Sequence, residues 1–162
     1  MARYAHVVAV LLPLLAFAGC SAPPPPPPTQ VNLTLSATAD VNPTTSGQAA
    51  PVVVRVYQLA STSGFEGAEF FPLFNQDQSV LKTDLVKKDE FLLSPGQKKT
   101  TTLMPTDQVT ALGIFAAYRD FQHAKWRATV PIPAHKTTTV TVTIGHDGVV
   151  AAAEPAPAKA GP

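Results

Sequence analysis

The sequence predicts an all-β fold, a two-sheet antiparallel β-sandwich carrying one short helical insertion. Three observations lead there: apolar and polar residues alternate with period two, Val and Thr dominate the alternating segments, and turn residues separate seven or eight such segments. Alternation places the two residue sets on opposite strand faces, so each strand has one dry face. Val and Thr suit a pleated surface better than a helix. Two sheets bury their dry faces by packing on each other.

Each element has its own signal. Val31, Leu33 and Leu35 alternate with Asn32, Thr34 and Ser36 in the first strand. Val52 to Leu59 is more continuously apolar, as expected of a strand covered on both faces, and its Arg55 needs a partner or a rim position. Further strands are expected at Glu90–Leu93, Lys99–Leu103, Ala111–Tyr118 and Lys125–Ile132. A long one holds Val140, Val142 and Ile144 against Thr139, Thr141 and Thr143, and a last short one spans Val149–Ala151. Ser94-Pro95-Gly96-Gln97 carries hairpin chemistry, with Pro presetting φ and Gly accepting φ > 0. Gly145-His146-Asp147-Gly148 looks similar, and Pro131 and Pro133 should end a strand or mark a sheet edge. The helical insertion is expected over 62–86. Ser63-Gly64-Phe65-Glu66 has capping-box spacing, Pro72 interrupts the first helix, and Asp77 caps a second with Val80, Leu81 and Leu85 on one face. Phe65, Phe70, Phe71, Leu73 and Phe74 are either the apolar glue of this insertion or a ligand pocket.

The chain has 162 residues, a size for one domain once its ends are set aside. Arg3 and the apolar run Val7–Ala18 read as a secretory signal over residues 1–19, because the run is shorter than the ~20 residues that a membrane span needs. It ends at Phe17-Ala18-Gly19-Cys20, which resembles the lipobox of bacterial lipoproteins and implies cleavage before Cys20 and lipidation of its thiol. The chain has one cysteine, so no internal disulfide competes for it. Ser21 rather than Asp follows; by resemblance to enterobacterial sorting rules this favours the outer membrane. Pro23–Pro28 is a polyproline run, so residues 20–29 are expected to form an extended stalk of roughly 30 Å. The sandwich is expected over 30–150. The Ala/Pro-rich tail 151–162 is expected to be disordered.

Charge excludes some function classes. The formal charge is +1 and charged residues make up 14% of the chain, where about 25% is usual, so the clustered cations of a nucleic-acid binder are missing. Loss of the signal removes Arg3 and leaves cations and anions equal in number. His123, His135 and His146 lie at no metal-ligand spacing, and no nucleophile elbow, P-loop or dinucleotide fingerprint is present. No cofactor, metal or catalytic residue is therefore expected. Binding is the remaining class. The connection Ala39–Ala50 has twelve residues where a tight hairpin needs about two to five, and a loop of that length is either functional or disordered. A second feature is Tyr118-Arg119-Asp120 with Trp126-Arg127, an aromatic and cationic cluster that is either an interface or internal packing at the sandwich end.

Several blocks, in their order and spacing, resemble the TssJ (VasD/SciN-type) outer-membrane lipoproteins of type VI secretion systems. They are Val41-Asn42-Pro43 with Gly47, Pro51 to Leu59, Phe65 to Leu73, and Ala117-Tyr118-Arg119-Asp120 with Trp126-Arg127, together with the lipobox. The resemblance implies a transthyretin-like sandwich and a scaffold rather than an enzyme. It further implies an outer-membrane anchor at Cys20 and binding to the periplasmic carboxy-terminal domain of TssM, which joins TssL in the envelope-spanning channel. The family's recognition loop matches Asp40, Val41, Asn42, Pro43, Thr44, Thr45, Ser46, Gly47 and Gln48. The alternative is a periplasmic lipoprotein that carries a small hydrophobic ligand.

Overall fold

Alternation along the strands builds two cores rather than one. The computed structural model describes residues 23–156; the signal, Cys20 and residues 157–162 of the tail lie outside them. In chain order the elements are β1 (Gln30–Ala37), β2 (Val52–Leu59), α1 (Ser63–Gly67), α2 (Phe70–Leu81), a 3₁₀ turn (Lys82–Asp84), β3 (Leu85–Leu93), β4 (Lys98–Leu103), β5 (Ala111–Ala116), β6 (Arg127–Pro131), β7 (Thr137–Ile144) and β8 (Val149–Pro155). They form two four-stranded sheets, ordered β4-β1-β7-β8 and β3-β2-β5-β6. Every pairing is antiparallel except β1 with β7, which run parallel. This is the two-sheet sandwich that the alternation predicts. No helix among the described residues is long and apolar enough to cross a membrane.

Between the sheets, Val31, Leu33 and Leu35 of β1 and Val140, Val142 and Ile144 of β7 meet Val54 and Val56 of β2 and Leu112 and Ile114 of β5, all fully buried. The opposite face of β2 and β5 is also dry. Tyr57, Leu59 and Phe115 lie there beneath Phe65, Phe70, Leu73 and Leu81 of the helical insertion, which explains why β2 reads as continuously apolar. The aromatic residues are thus the glue of the insertion: Phe70 stacks on Phe121 with ring centroids 4.5 Å apart and meets Phe115 at 5.1 Å. Gly113 permits the close approach, since a Cβ there would lie 2.9 Å from Leu59 Cδ1 and 3.1 Å from the Phe65 ring. Arg55 has its partner: Nε donates to Glu90 at 2.7 Å, and Nη1 donates to the Phe74 carbonyl at 2.7 Å and sits 3.5 Å from Asp77.

Several expectations are corrected. Ser94–Gln97 makes the expected turn, with Gln97 N–H donating to Ser94 O at 2.9 Å and Gly96 at φ 74°, but it is no hairpin. β3 and β4 belong to different sheets, so this turn carries the chain across the sandwich. The capping box does not form: Thr62 is the N-cap residue without a side-chain cap bond, and Glu66 instead accepts the Thr129 hydroxyl at 3.0 Å. Pro72 does not interrupt a helix. It lies in the first turn of α2, where backbone N–H groups have no intrahelical acceptor to lose. The break comes at Gln76 (φ −140°, ψ 37°), after which the Asp77 carboxylate accepts the Gln78 N–H at 2.8 Å. Leu85 opens β3 rather than extending the helix, and packs against the same apolar cluster as Leu81.

The ends of the domain also shift. Ala151–Pro155, expected to open a disordered tail, continues β8 along β7, and Ala156 N–H still donates to Thr137 O at 3.0 Å. At the other end Thr29 is buried and belongs to the domain rather than the stalk, while Pro23–Pro28 are exposed. His135, in the β6–β7 connection, holds this exit. Its N–H donates to Thr29 Oγ1 at 2.9 Å, and its Nδ1 lies 3.1 Å from Pro27 O.

Candidate docking surface

Strand directions gather four connections at one pole of the sandwich: the β1–β2 loop, the β3–β4 turn, the β5–β6 loop and the β7–β8 turn. Backbone bonds tie them together. Ala37 N–H donates to Gln97 O at 2.9 Å, Thr38 N–H to Ile144 O at 3.0 Å, and Lys125 N–H to Asp147 O at 2.9 Å. The stalk leaves from the opposite pole, where Gln30 N–H meets Lys136 O at 3.0 Å.

The β1–β2 loop is ordered by two buried residues. Val41 packs into the core between the sheets, and Ala50 N–H returns to Val41 O at 3.1 Å, so the loop closes at a neck. Asn42, only 3% exposed, adopts φ 49°, a left-handed conformation that Asn tolerates better than most residues. Its Nδ2 donates to Pro51 O at 2.8 Å, and its Oδ1 accepts the Arg119 N–H at 2.8 Å from the neighbouring loop. Beyond the neck, Gly47 N–H donates to Thr44 O and Thr44 N–H to Gln48 O, both at 2.8 Å, while the Thr44 hydroxyl meets Ser46 and accepts the Gln48 N–H. Gly47 turns this tip with φ 77°.

The nine loop residues named from sequence therefore divide. Val41 and Asn42 have no surface to offer and act as the pins of the loop. Pro43 and Thr44 are half-buried, and Asp40, Thr45, Ser46, Gly47 and Gln48 are exposed. Cys20 lies outside the described residues. The second sequence feature divides as well. Tyr118 and Arg119 join the loop pole, where Tyr118 O–H donates to Gly145 O at 2.8 Å. Trp126 and Arg127 turn to the insertion, with Arg127 over the Trp126 ring at 4.6 Å and its Nη1 donating to Ala68 O at 2.6 Å. Sequence spacing alone linked them; the β5–β6 loop separates them.

Loop and neighbour enclose a groove of about 450 Å³ between Pro43, Thr44 and Thr45 on one side and Arg119 and Asp120 on the other. A smaller hollow of about 60 Å³ lies behind Pro43, bounded by Tyr118, Asp120, His123, His146 and Asp147. The sequence reading missed His123, His146 and Asp147 here, because only the folded turns bring them beside Pro43. The charges are arranged in local pairs. His123 Nδ1 lies 2.8 Å from Asp120 Oδ1, and Asp147 bonds His146, raising the imidazole above its ordinary pKa. The Thr38 hydroxyl at 2.6 Å holds the Asp40 carboxyl below the usual carboxylate range. Burial, with Asp147 nearby, pushes the Tyr118 phenol up, so it stays a donor. Among the described residues no group of three His, Cys, Asp or Glu side chains is placed to hold a metal ion. The surface is a polar, ordered pole of packed connections with a concave groove between two of its loops.

Residues 29–147 match the family model described as type VI secretion lipoprotein (VasD, EvfM, TssJ). The chain belongs to this family. The T6SS lipoprotein TssJ1 from Pseudomonas aeruginosa is similar at 40% identity and TM-score 0.77, with 81% of this chain and all of that chain covered. Serratia marcescens Lip, a membrane-bound component of the type VI secretion system, is similar at 28% identity and TM-score 0.72 over 77% of this chain and 96% of that one. A chain of a type VI membrane complex shares the fold at 21% identity and TM-score 0.66 over 75% of this chain and 96% of that one. No curated protein matches in a sequence search. As a family member the chain is a type VI secretion lipoprotein, a structural component and not an enzyme.

Proposed function

We propose that this lipoprotein is anchored in the outer membrane through acyl chains on Cys20, faces the periplasm, and binds the periplasmic carboxy-terminal domain of TssM, linking TssM and indirectly TssL to that membrane. One observation carries the reading: the stalk leaves one pole while the β1–β2 loop stands at the other. The eight residues of β1 separate them by roughly 26 Å at ~3.3 Å per residue. A polyproline stalk adds to that distance, so Thr44–Gln48 point away from the bilayer, where a periplasmic partner meets them. His135 fixes the angle at which the stalk leaves the sandwich.

Excision of Thr44–Ala49 tests the loop. Val41 and Ala50 are already hydrogen-bonded, so the cut spans a closed neck and leaves the pins in place. The full-length variant should lose co-purification with the TssM periplasmic domain while its Tm moves by less than about 3 °C. Undiminished TssM binding by the excised protein would show that the loop is not the contact.

A further inference from the structure

The helical insertion covers only part of the outer face of β2 and β5. Arg55 marks its boundary, with the guanidinium 4.9 Å over the Phe74 ring and Nη1 donating to the Phe74 carbonyl. Val53 lies two residues closer to the loop pole on the same face of β2. Leu92 of β3 stands directly opposite it in the ladder, and on its other side the Ala117 N–H donates to Val53 O at 2.8 Å. Leu92 is 65% exposed, and among the described residues neither it nor Val53 joins either core. Phe71, 54% exposed, meets Phe121 edge to face with ring centroids 4.9 Å apart, while Phe121 and Ala117 pack against the cluster under the insertion. Leu92, Val53, Ala117, Phe121 and Phe71 thus make an apolar shelf where the insertion ends.

The shelf continues the loop pole. Val53 comes two residues after Pro51, whose carbonyl accepts Asn42 Nδ2 at the neck of the β1–β2 loop, and Phe121 comes two residues after Arg119 in the groove wall. Its charged neighbours are Glu90, held by Arg55 Nε, and at the Phe121 end Arg119 and Asp120, the latter bonded to His123. Binding energy at an interface concentrates on a few large anchors near its centre. The exposed loop residues Asp40, Thr45, Ser46, Gly47 and Gln48 are small or polar and supply none. Phe71 and Leu92 do. Membrane is the wrong occupant, because the stalk leaves from the opposite pole, where Gln30 N–H meets Lys136 O. A second copy seated on the shelf alone falls short: a stable dimer buries about 800 Å² on each partner, and these five side chains offer roughly 300 Å². A domain that already holds the loop adds the groove beside Pro43 to that area.

We propose that the shelf is the apolar half of the docking surface and takes an apolar ridge of the same partner domain that meets the β1–β2 loop; this rests on the TssM reading above. Leu92 and Phe71 are the anchors. The ridge brings aliphatic or aromatic side chains onto Leu92, Val53 and the edge of the Phe71–Phe121 pair, while polar groups beside it meet the loop. The two halves divide the work: the ordered loop sets register, and the shelf supplies the dry contact that small polar side chains cannot. Two other large apolar side chains are more than half exposed and lie off this surface, Met104 after β4 at the stalk pole and Val150 on β8 of the other sheet. They serve as controls.

The test titrates the full-length lipoprotein, in detergent micelles, with the TssM periplasmic domain by calorimetry at several temperatures. Leu92→Ser and Phe71→Ser should each weaken binding about tenfold and make its heat-capacity change less negative, since less apolar surface is buried. Met104→Ser and Val150→Ser should leave the affinity within about twofold. Leu92→Ser removes a side chain that joins no core, so its Tm should stay within about 3 °C of the unsubstituted protein. Leu92→Met restores an apolar side chain and should restore affinity, which keeps the test decisive should Phe71→Ser disturb the insertion. Shelf variants that bind like the unsubstituted protein, while excision of Thr44–Ala49 abolishes binding, would overturn the shelf and leave the loop reading standing. Absence of TssM binding by the unsubstituted protein would overturn both. A dimer of the lipoprotein alone in sedimentation, lost in Leu92→Ser, would assign the shelf to a second copy and overturn the partner ridge.

Discussion

Asn42→Ala is the substitution that most directly tests how the β1–β2 loop is held. Truncation removes two 2.8 Å bonds, one to Pro51 O and one from the Arg119 N–H, and the residue is 3% exposed, so water replaces neither partner well. A net loss of about 1 kcal/mol per bond is usual, and a buried group left unpaired adds to it. Alanine must also adopt φ 49°, where L-residues other than Gly, Asn and Asp are disfavoured by about 1 kcal/mol. The sum is about 3 kcal/mol, or roughly 10 °C in Tm for a domain of this size. Urea unfolding of Asn42→Ala beside Asn42→Gly separates the two contributions. Glycine loses the same bonds without the conformational penalty, so it should be destabilised about 1 kcal/mol less than alanine. A loss below about 0.5 kcal/mol for alanine would refute the pinning argument; equal losses for the two variants would refute the backbone part.

Two further outcomes test other parts of the chain. Burial raises the Asp77 carboxyl, but the Lys88 ammonium at 2.7 Å, the Tyr57 hydroxyl and Arg55 more than compensate and hold it below its ordinary value of 3.8. A depressed carboxyl contributes stability that is present above the unfolded-state pKa and is lost as pH falls through the folded one. Asp77→Asn should therefore cost about 1–3 kcal/mol at pH 7, and the gap to the unsubstituted protein should close below about pH 4 in urea titrations. Stability curves that stay parallel down to pH 2.5 would exclude this role. On the proposed anchoring through acyl chains on Cys20, which would contribute ~0.8 kcal/mol per buried CH₂, Cys20→Ser should move the protein from the outer-membrane fraction to the soluble periplasmic fraction. Retention in the membrane fraction would mean that another segment is the anchor.

Sequence reading succeeded where burial is written in a local period. The alternation in β1 and β7 and the double-sided apolarity of β2 gave the sheets and the covered face, and Phe65 to Leu73 marked the insertion. It failed where pairing partners are decided at long range. Pro95-Gly96 sets a reversal of direction, but nothing in four residues says whether the next strand returns to the same sheet or crosses to the other. Val149–Ala151 reads as a strand, but its continuation does not, for the opposite reason: Ala152 and Ala153 have weak strand propensity, and the ladder with β7 holds them extended. The Ser63–Glu66 spacing misled because Thr129, across on β6, competes for the Glu66 carboxylate. At the loop pole, loop length and Asn42-Pro43 marked a segment that the structure shows ordered at its neck and exposed at its tip. Burial of Val41 and Asn42 was not visible there, since one apolar residue in a polar loop has no period to read.

That last failure bears on how the loop works. Val41-Asn42-Pro43 and Gly47, which carry the family resemblance, fix the shape: Val41 plugs the core, Asn42 joins two loops, and Gly47 supplies a left-handed turn. The exposed side chains between and beside them, Asp40, Thr45, Ser46 and Gln48, are small or polar and constrained by little but their own turn. Shape and contact chemistry therefore reside in different residues. On the proposed docking role, a loop pinned at its neck loses less entropy than a free one, so fewer contacts need offset that cost. In the same proposed role, substitution at Thr45, Ser46 or Gln48 should alter binding of TssM while the pins, and with them the Tm, stay as they are.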